Sequence, residues 1–216
     1  MFKIAVAADF SAVIPIIIML INGRLKLDIT QKLICSFAII IFLKNALTYI
    51  MGELSIHNMY IYNWCNLIQG IILTIIYTIL FKNSTFKLFA IFGITVSVII
   101  SLIDYQSLFD VATGNFNRFS YNTIGCLVII LTLLYFYQLI QYLQVPTLTK
   151  YSYFWFSTGA LLYFAGTIFS YLFMEVTFNS TIQMRQQYWM IDAILAIIFN
   201  IFISFSIWYM KPGKTV

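Results

Sequence analysis

The chain has 216 residues, of which 62% are hydrophobic and 9% formally charged, with a net charge of +5. Its mean hydropathy is +0.94, whereas soluble domains carry about 45–50% apolar and about 25% charged residues. A water-soluble globule, a disordered chain, a collagen-like rod and a disulfide-stapled secreted module are therefore excluded. Three cysteines make an odd number without metal-ligand spacing, so neither a disulfide framework nor a zinc site is expected.

A helix crosses ~30 Å of hydrocarbon with about 20 apolar residues, at ~1.5 Å per residue. That rule predicts an all-α bundle of seven spans, in chain order 4–21, 33–51, 59–81, 86–103, 121–143, 153–176 and 189–209. Short polar turns join them, the longest being 104–120 and 177–188. No ~10-residue alternation of a porin-like barrel is present. Residues 1–216 are thus read as one seven-span domain. A cleavable signal peptide is the rival account of the first span. Only Lys3 precedes that span, Asp9 interrupts it, and no small-x-small site follows before Asn22, Gly23 and Arg24, so a retained helix is expected.

Lys and Arg set orientation. Arg24, Lys26, Lys32, Lys82, Lys87, Lys150, Lys211 and Lys214 fall on one side, and Lys3, Arg118 and Arg185 on the other. The first side is expected in the cytoplasm, with the N-terminus outside and the C-terminus inside. Asp9, Glu53, Asp104, Asp110, Glu175 and Asp192 lie at or near the outer side, and only Asp28 on the inner one. The positive charge then reports topology, and no basic run is dense enough for a nucleic acid or a phosphoinositide. Tyr60, Tyr62, Trp64, Tyr188 and Trp189 form an expected outer aromatic belt, with Tyr151, Tyr153, Trp155, Trp208 and Tyr209 at the inner interface.

The chain has no phosphate loop, no HExxH, no paired cysteines and no nucleophile elbow. His57 is the only histidine, which disfavours multi-histidine metal or haem bundles. The last span has no Schiff-base lysine, no Pro-Gln signature occurs, and no internal repeat is visible. Asn179, Ser180 and Thr181 match a glycosylation tripeptide, a pattern that recurs by chance. Cys65 and Cys126 are read as small apolar fillers.

Polar side chains at membrane depth carry the functional argument, because a Lys or Asp at a helix centre costs about 2.5–3.5 kcal/mol. Lys44 lies roughly 10 Å below the outer end of the second span. Asn45, Thr48 and Tyr49 are near it by helical spacing. Asn63, Asn66 and Gln69 step down the third span, Asp192 sits one turn inside the seventh, and Asn200 and Tyr163 fall near the midplane. In one account Lys44 snorkels outward and the amides join helices, as interhelical polar contacts commonly do. In the other these residues line an outward cavity in which Lys44 pairs with Asp192 or with an anionic ligand group. Gly159, Gly166 and Ser170 share a face of the sixth span with Tyr163, which predicts close helix packing there.

The stretches Asn66 to Gly70 (NLIQG), Phe116 to Phe119 (FNRF), Leu133 to Tyr137 (LLYFY), Tyr153 to Gly166 (YFWFSTGALLYFAG) and Tyr188 to Asp192 (YWMID), with Phe199 and Asn200, carry a resemblance. Together they resemble poorly characterised seven-transmembrane proteins of Bacteroidetes, similar to the membrane regions of some sensor histidine kinases. The resemblance implies an inner-membrane location and a sensory or accessory role. It also implies an acid near Gln69 and a histidine near Asp192. This chain departs from that pattern at both positions, so shared metal or proton-relay chemistry is not carried over.

The expected function is a receptor-like or sensor-like bundle in the lipid bilayer. It would take a small or lipidic ligand and delegate output to another membrane or signalling protein, since Lys211, Pro212, Gly213 and Lys214 lead directly to Val216 with no kinase. A ligand acts in this way only by binding two bundle states unequally. An accessory subunit of a larger complex is the first rival. A transporter or channel is the second, and it predicts a polar path on through Ser36, Thr74, Gln138, Ser157 and Ser204. No acid–base pair or metal set can be assembled at one depth, so an enzyme and a bound cofactor are not expected.

Overall fold

The computed structural model describes residues 2–22, 27–111, 115–142, 147–172 and 182–210. All the regular structure among them is helical: α1 (Phe2–Ser11), α2 (Val13–Ile21), α3 (Ile29–Glu53), α4 (Met59–Leu80), α5 (Ser84–Ile103), α6 (Tyr105–Phe109), α7 (Arg118–Tyr142), a 3-10 turn (Leu148–Lys150), α8 (Ser152–Leu172) and α9 (Ile182–Trp208). Among the described residues, six helical stretches are long and apolar enough to cross a membrane: Ile4–Ile21, Ile29–Glu53, Met59–Leu80, Ser84–Ile103, Arg118–Tyr142 and Trp189–Trp208. The chain is therefore a multi-pass helical membrane protein. The sixth expected span, α8, is not among these six. It has 21 residues, but Ser152, Ser157, Gly159, Tyr163, Gly166 and Thr167 dilute its apolar content, and all of these are buried or half-buried. Residues 173–176 of that expected span lie outside the described residues, as do Leu143, the glycosylation tripeptide, and the basic residues Arg24, Lys26, Lys211 and Lys214.

Local chemistry explains where the helices begin and break. Asp28 and Gln31 form a reciprocal cap, with Gln31 N donating to Asp28 Oδ1 at 2.7 Å and Asp28 N donating to Gln31 Oε1 at 3.2 Å. This pair starts α3 at Ile29, ahead of the apolar run that begins at Leu33. The first span is interrupted at Ala12, between α1 and α2. Pro15 is the cause, because it lacks an N–H and its ring clashes with the carbonyl four residues back, on Ser11. The 104–120 connection is not a bare loop, since it contains α6.

Five helices close a ring. In order, α3 packs on α4, α4 on α7, α7 on α8, α8 on α9, and α9 back on α3. The broken first span packs against α9 and α3, and α5 lies outside the seam of α4 and α7. Of α5 only Ala90, Ser97 and Ser101 are buried, and Leu88, Phe92 and Ile103 on it are each more than 60% exposed, as a lipid-facing surface requires. Close approaches set the spacing. A Cβ on Gly159 would stand 2.5 Å from Phe202 Cβ, and one on Gly166 would stand 2.6 Å from Leu195 Cδ1, so both glycines pack α8 directly on α9.

The lower half of the ring, toward Lys32, Lys82 and Lys150, is filled by one buried aromatic or more from most of its helices. Phe37 on α3 meets Phe156 on α8 edge-on at 5.7 Å, and it meets Phe199 on α9 at 5.8 Å. Tyr77 on α4 shares a hydrogen bond with Thr132 on α7 (2.8 Å) and donates to Ser157 on α8 (3.4 Å). Phe37, Tyr77 and Phe156 are at most 1% exposed, so the ring is plugged at this level.

Candidate functional site

Above the plug the ring does not close. A cavity of about 280 Å³ lies between the end of α3, the starts of α4, α7 and α9, and the end of α8. Its floor is Tyr163, stacked on Phe199 of the plug at 5.2 Å. Its α4 wall is Tyr62, Asn66 and Gln69, which span roughly 10 Å of helix rise. The α8 wall adds Thr167, Ser170 and Tyr171, and α9 adds Trp189 and Asp192. Phe116, Tyr121 and Tyr171 pack as a triad, with ring centroids 4.2, 5.4 and 4.9 Å apart.

Two opposite charges face this space. Lys44 reaches it from α3, with its Nζ 5.3 Å from the centroid of the Tyr62 ring, a cation–π contact. Asp192 reaches it from α9, and its Oδ1 accepts a hydrogen bond from the Tyr171 hydroxyl at 2.9 Å. The direct Lys44–Asp192 pair anticipated as one option is not formed, because no ion pair within 4.0 Å joins them. Each instead rests against a tyrosine. The Gln69 Nε2 is buried without a hydrogen-bond partner.

Of the residues singled out in the sequence, the structure brings Lys44, Asn66, Gln69, Tyr163 and Asp192 together around the cavity. Four others go elsewhere. Asn63 Nδ2 donates to the Ser107 and Asn115 carbonyls at 2.7 and 2.9 Å, and its Oδ1 accepts from Asn117 N at 3.1 Å, so it fastens the connection between α5 and α7. Asn200 Nδ2 donates to Ser11 Oγ at 2.7 Å, at the break in the first span. Asn45 is buried outside the lining, and Tyr49 is 39% exposed with its ring against Phe10 at 6.2 Å. Successive helical positions differ by about 100°, so Lys44 and Asn45 do not share a face. Ser170, grouped with the packing glycines, lines the cavity instead.

The sequence reading missed Phe116, Tyr121, Thr167 and Tyr171 as lining residues, and it assigned Tyr62 and Trp189 to the interfacial belt. Their common signal was available: all are aromatic or small polar residues within three turns of helix ends on the same side, except Phe116, which lies in the connection just before α7. The polar candidates of the opposite half do not continue the cavity. Ser36 is exposed on the ring's outer surface. Thr74 donates to the Gly70 carbonyl and Ser204 to the Asn200 carbonyl. Gln138 accepts from Lys82 N at 2.8 Å and donates to the Leu80 carbonyl at 3.0 Å, closing the end of α4.

Among the described residues, no three His, Cys, Asp or Glu side chains converge as a metal site requires. The arrangement is suited to holding a small molecule by charge, hydrogen bonds and ring stacking. Comparison with protein-family models, with curated proteins and with solved structures finds no match to this chain.

Proposed function

We propose that the chain is a receptor-like or sensor-like seven-span protein whose cavity opens on the outer side of a bacterial cytoplasmic membrane, with occupancy passed to a partner protein. In this reading α8 also crosses the membrane, as the sixth of seven spans, since its 21 residues cover roughly 30 Å. The observation that carries the proposal is the asymmetry of the ring, which is open around two charged side chains at one end and filled by Phe37, Tyr77 and Phe156 at the other. One open end favours a binding cup over a continuously open channel, which needs two mouths at once, and a second state open at the other end would mark an alternating-access transporter. The lysines support the direction: Lys32, Lys82, Lys87 and Lys150 sit at the plugged end, which the positive-inside rule puts in the cytoplasm. The loose resemblance to membrane regions of sensor kinases points the same way.

The test is single-cysteine labelling in intact cells, in a background lacking Cys35, Cys65 and Cys126. Ser170→Cys, which lines the cavity and is half-exposed, should react with a membrane-impermeant maleimide from outside, while Lys82→Cys should react only after the membrane is opened. The reverse pattern overturns the orientation, and an inert Ser170→Cys in both conditions overturns the open cup. Solvent access that reaches from Ser170 down to a cysteine at Ser157 would instead favour a transporter.

A further inference from the structure

The cavity contains an acid and a base that do not neutralise each other directly, and this asks what does. Among the described residues, the Lys44 ammonium has no carboxylate within 4.0 Å, and it stands over the Tyr62 ring face. Asp192 takes one hydrogen bond, from Tyr171 to Oδ1, and its Oδ2 has none. The buried Gln69 Nε2 is a third unfilled polar group on the same lining. The Gln69 nitrogen is fully buried, and a buried polar atom left alone costs about 1–3 kcal/mol, while Lys44 and Asp192 are half-buried and present their charges to the cavity.

The charge pattern selects among ligands. A simple anion seated on Lys44 would stand beside the Asp192 carboxylate in the same small space. A simple cation seated on Asp192 would stand beside the Lys44 ammonium. Like charges held close in a low-dielectric site oppose one another, so a ligand of one sign satisfies one group at the expense of the other. A molecule that carries both signs satisfies both. The aromatic triad of Phe116, Tyr121 and Tyr171, with Phe164 on α8, offers stacking and apolar surface for the rest of it. A volume of about 280 Å³ limits the occupant to a small molecule, at the lower edge of the ~300–1,000 Å³ typical of ligand sites.

We infer that the cavity takes a small zwitterion with an apolar or aromatic body, its acidic oxygens on Lys44 and Gln69 and its ammonium on the free oxygen of Asp192. This deepens the receptor reading and rests on the cup being open. The same chemistry has two sources: a free amino acid, and the phosphate and amine of an aminophospholipid head group that enters from the bilayer.

The experiment uses the full chain purified in a detergent free of aminophospholipids, with melting temperature read against ligand concentration. The probes are phenylalanine and leucine, the single-charge analogues phenethylamine and 3-phenylpropionate, and glycerophosphoethanolamine as the isolated head group. At least one zwitterion should raise the melting temperature, with both single-charge analogues at least ~10-fold weaker, a difference of about 1.4 kcal/mol. Lys44→Met and Asp192→Asn should each weaken that zwitterion by ~10-fold or more, the scale of losing one hydrogen bond to a charged group. A response to phenylalanine or leucine identifies the free source, and a response to glycerophosphoethanolamine the lipid source. The ligand series on the unaltered chain decides the matter even where a variant does not fold. Equal stabilisation by either single-charge analogue overturns the inference, and so does the absence of a shift with every zwitterion. The Ser170→Cys labelling then reports separately whether the open cup stands.

Discussion

The two halves of the ring use polar side chains in opposite ways. In the plugged half, Gln138, Thr74 and Ser204 each meet a backbone group of their own or a neighbouring helix, and Tyr77 meets Thr132 and Ser157. In the open half, Lys44, Gln69 and Asp192 retain unfilled valences that face a shared space. Polarity at membrane depth therefore does not by itself mark a functional position. What separates the halves is whether the protein supplies the partner.

That contrast can be broken most severely at the plug. Phe156→Ala removes a fully buried ring that touches Phe37 and Phe199, and it should cost ~3–5 kcal/mol of stability in detergent unfolding. A loss below 1 kcal/mol, on the scale of an ordinary exposed substitution, would show that the lower half is not a packed plug. Asn63→Ala comes next, at about 2 kcal/mol, because it strands buried backbone partners rather than a ligand group. It should also increase hydrogen exchange at residues 107–117, which a pure ligand contact would leave unchanged.

The glycines of α8 sharpen the comparison at smaller scale. Gly159→Ala drives a methyl against the Phe202 stem, so the backbone must move, at about 1–3 kcal/mol. Gly166→Ala meets only the tip of Leu195, which can rotate away, and it should cost less than Gly159→Ala in the same unfolding assay. The smallest expected effect is Ser36→Ala, whose side chain faces outward, within ~0.5 kcal/mol of the parent. A larger loss there would place Ser36 inside a contact between chains.

Much of the architecture was legible because lipid imposes a length and a polarity on every span. The expected 59–81 and 86–103 become Met59–Leu80 and Ser84–Ile103. Hydropathy failed where local hydrogen bonding decides. The Asp28 and Gln31 cap starts α3 on polar residues, and Pro15 divides the first span although every neighbour is apolar. The apolar-run rule also counted 153–176 as a span, but α8 turns serines, threonines and glycines inward and is not among the six helices apolar enough to cross. The cavity was half legible. Depth and charge found Lys44, Gln69 and Asp192, but depth is one coordinate, and the angle about each helix axis is the other. That angle removed Asn45 and Tyr49 and admitted Tyr62, Tyr121 and Tyr171. Asn63 and Asn66 lie three residues apart on one helix, yet one is bound to a loop and the other faces the cavity. Only the path of the 104–117 connection separates them.

The attachment of that connection has a mechanical consequence. Phe116 belongs to the cavity wall, but its place is dictated from one side by the amide of Asn63, which grips the backbone at 107, 115 and 117. The rim is in effect clamped to α4 and travels with it. A tilt of α4 against α8 would carry Phe116 across the stack formed with Tyr171, so the aperture and the interhelical angle form a single degree of freedom.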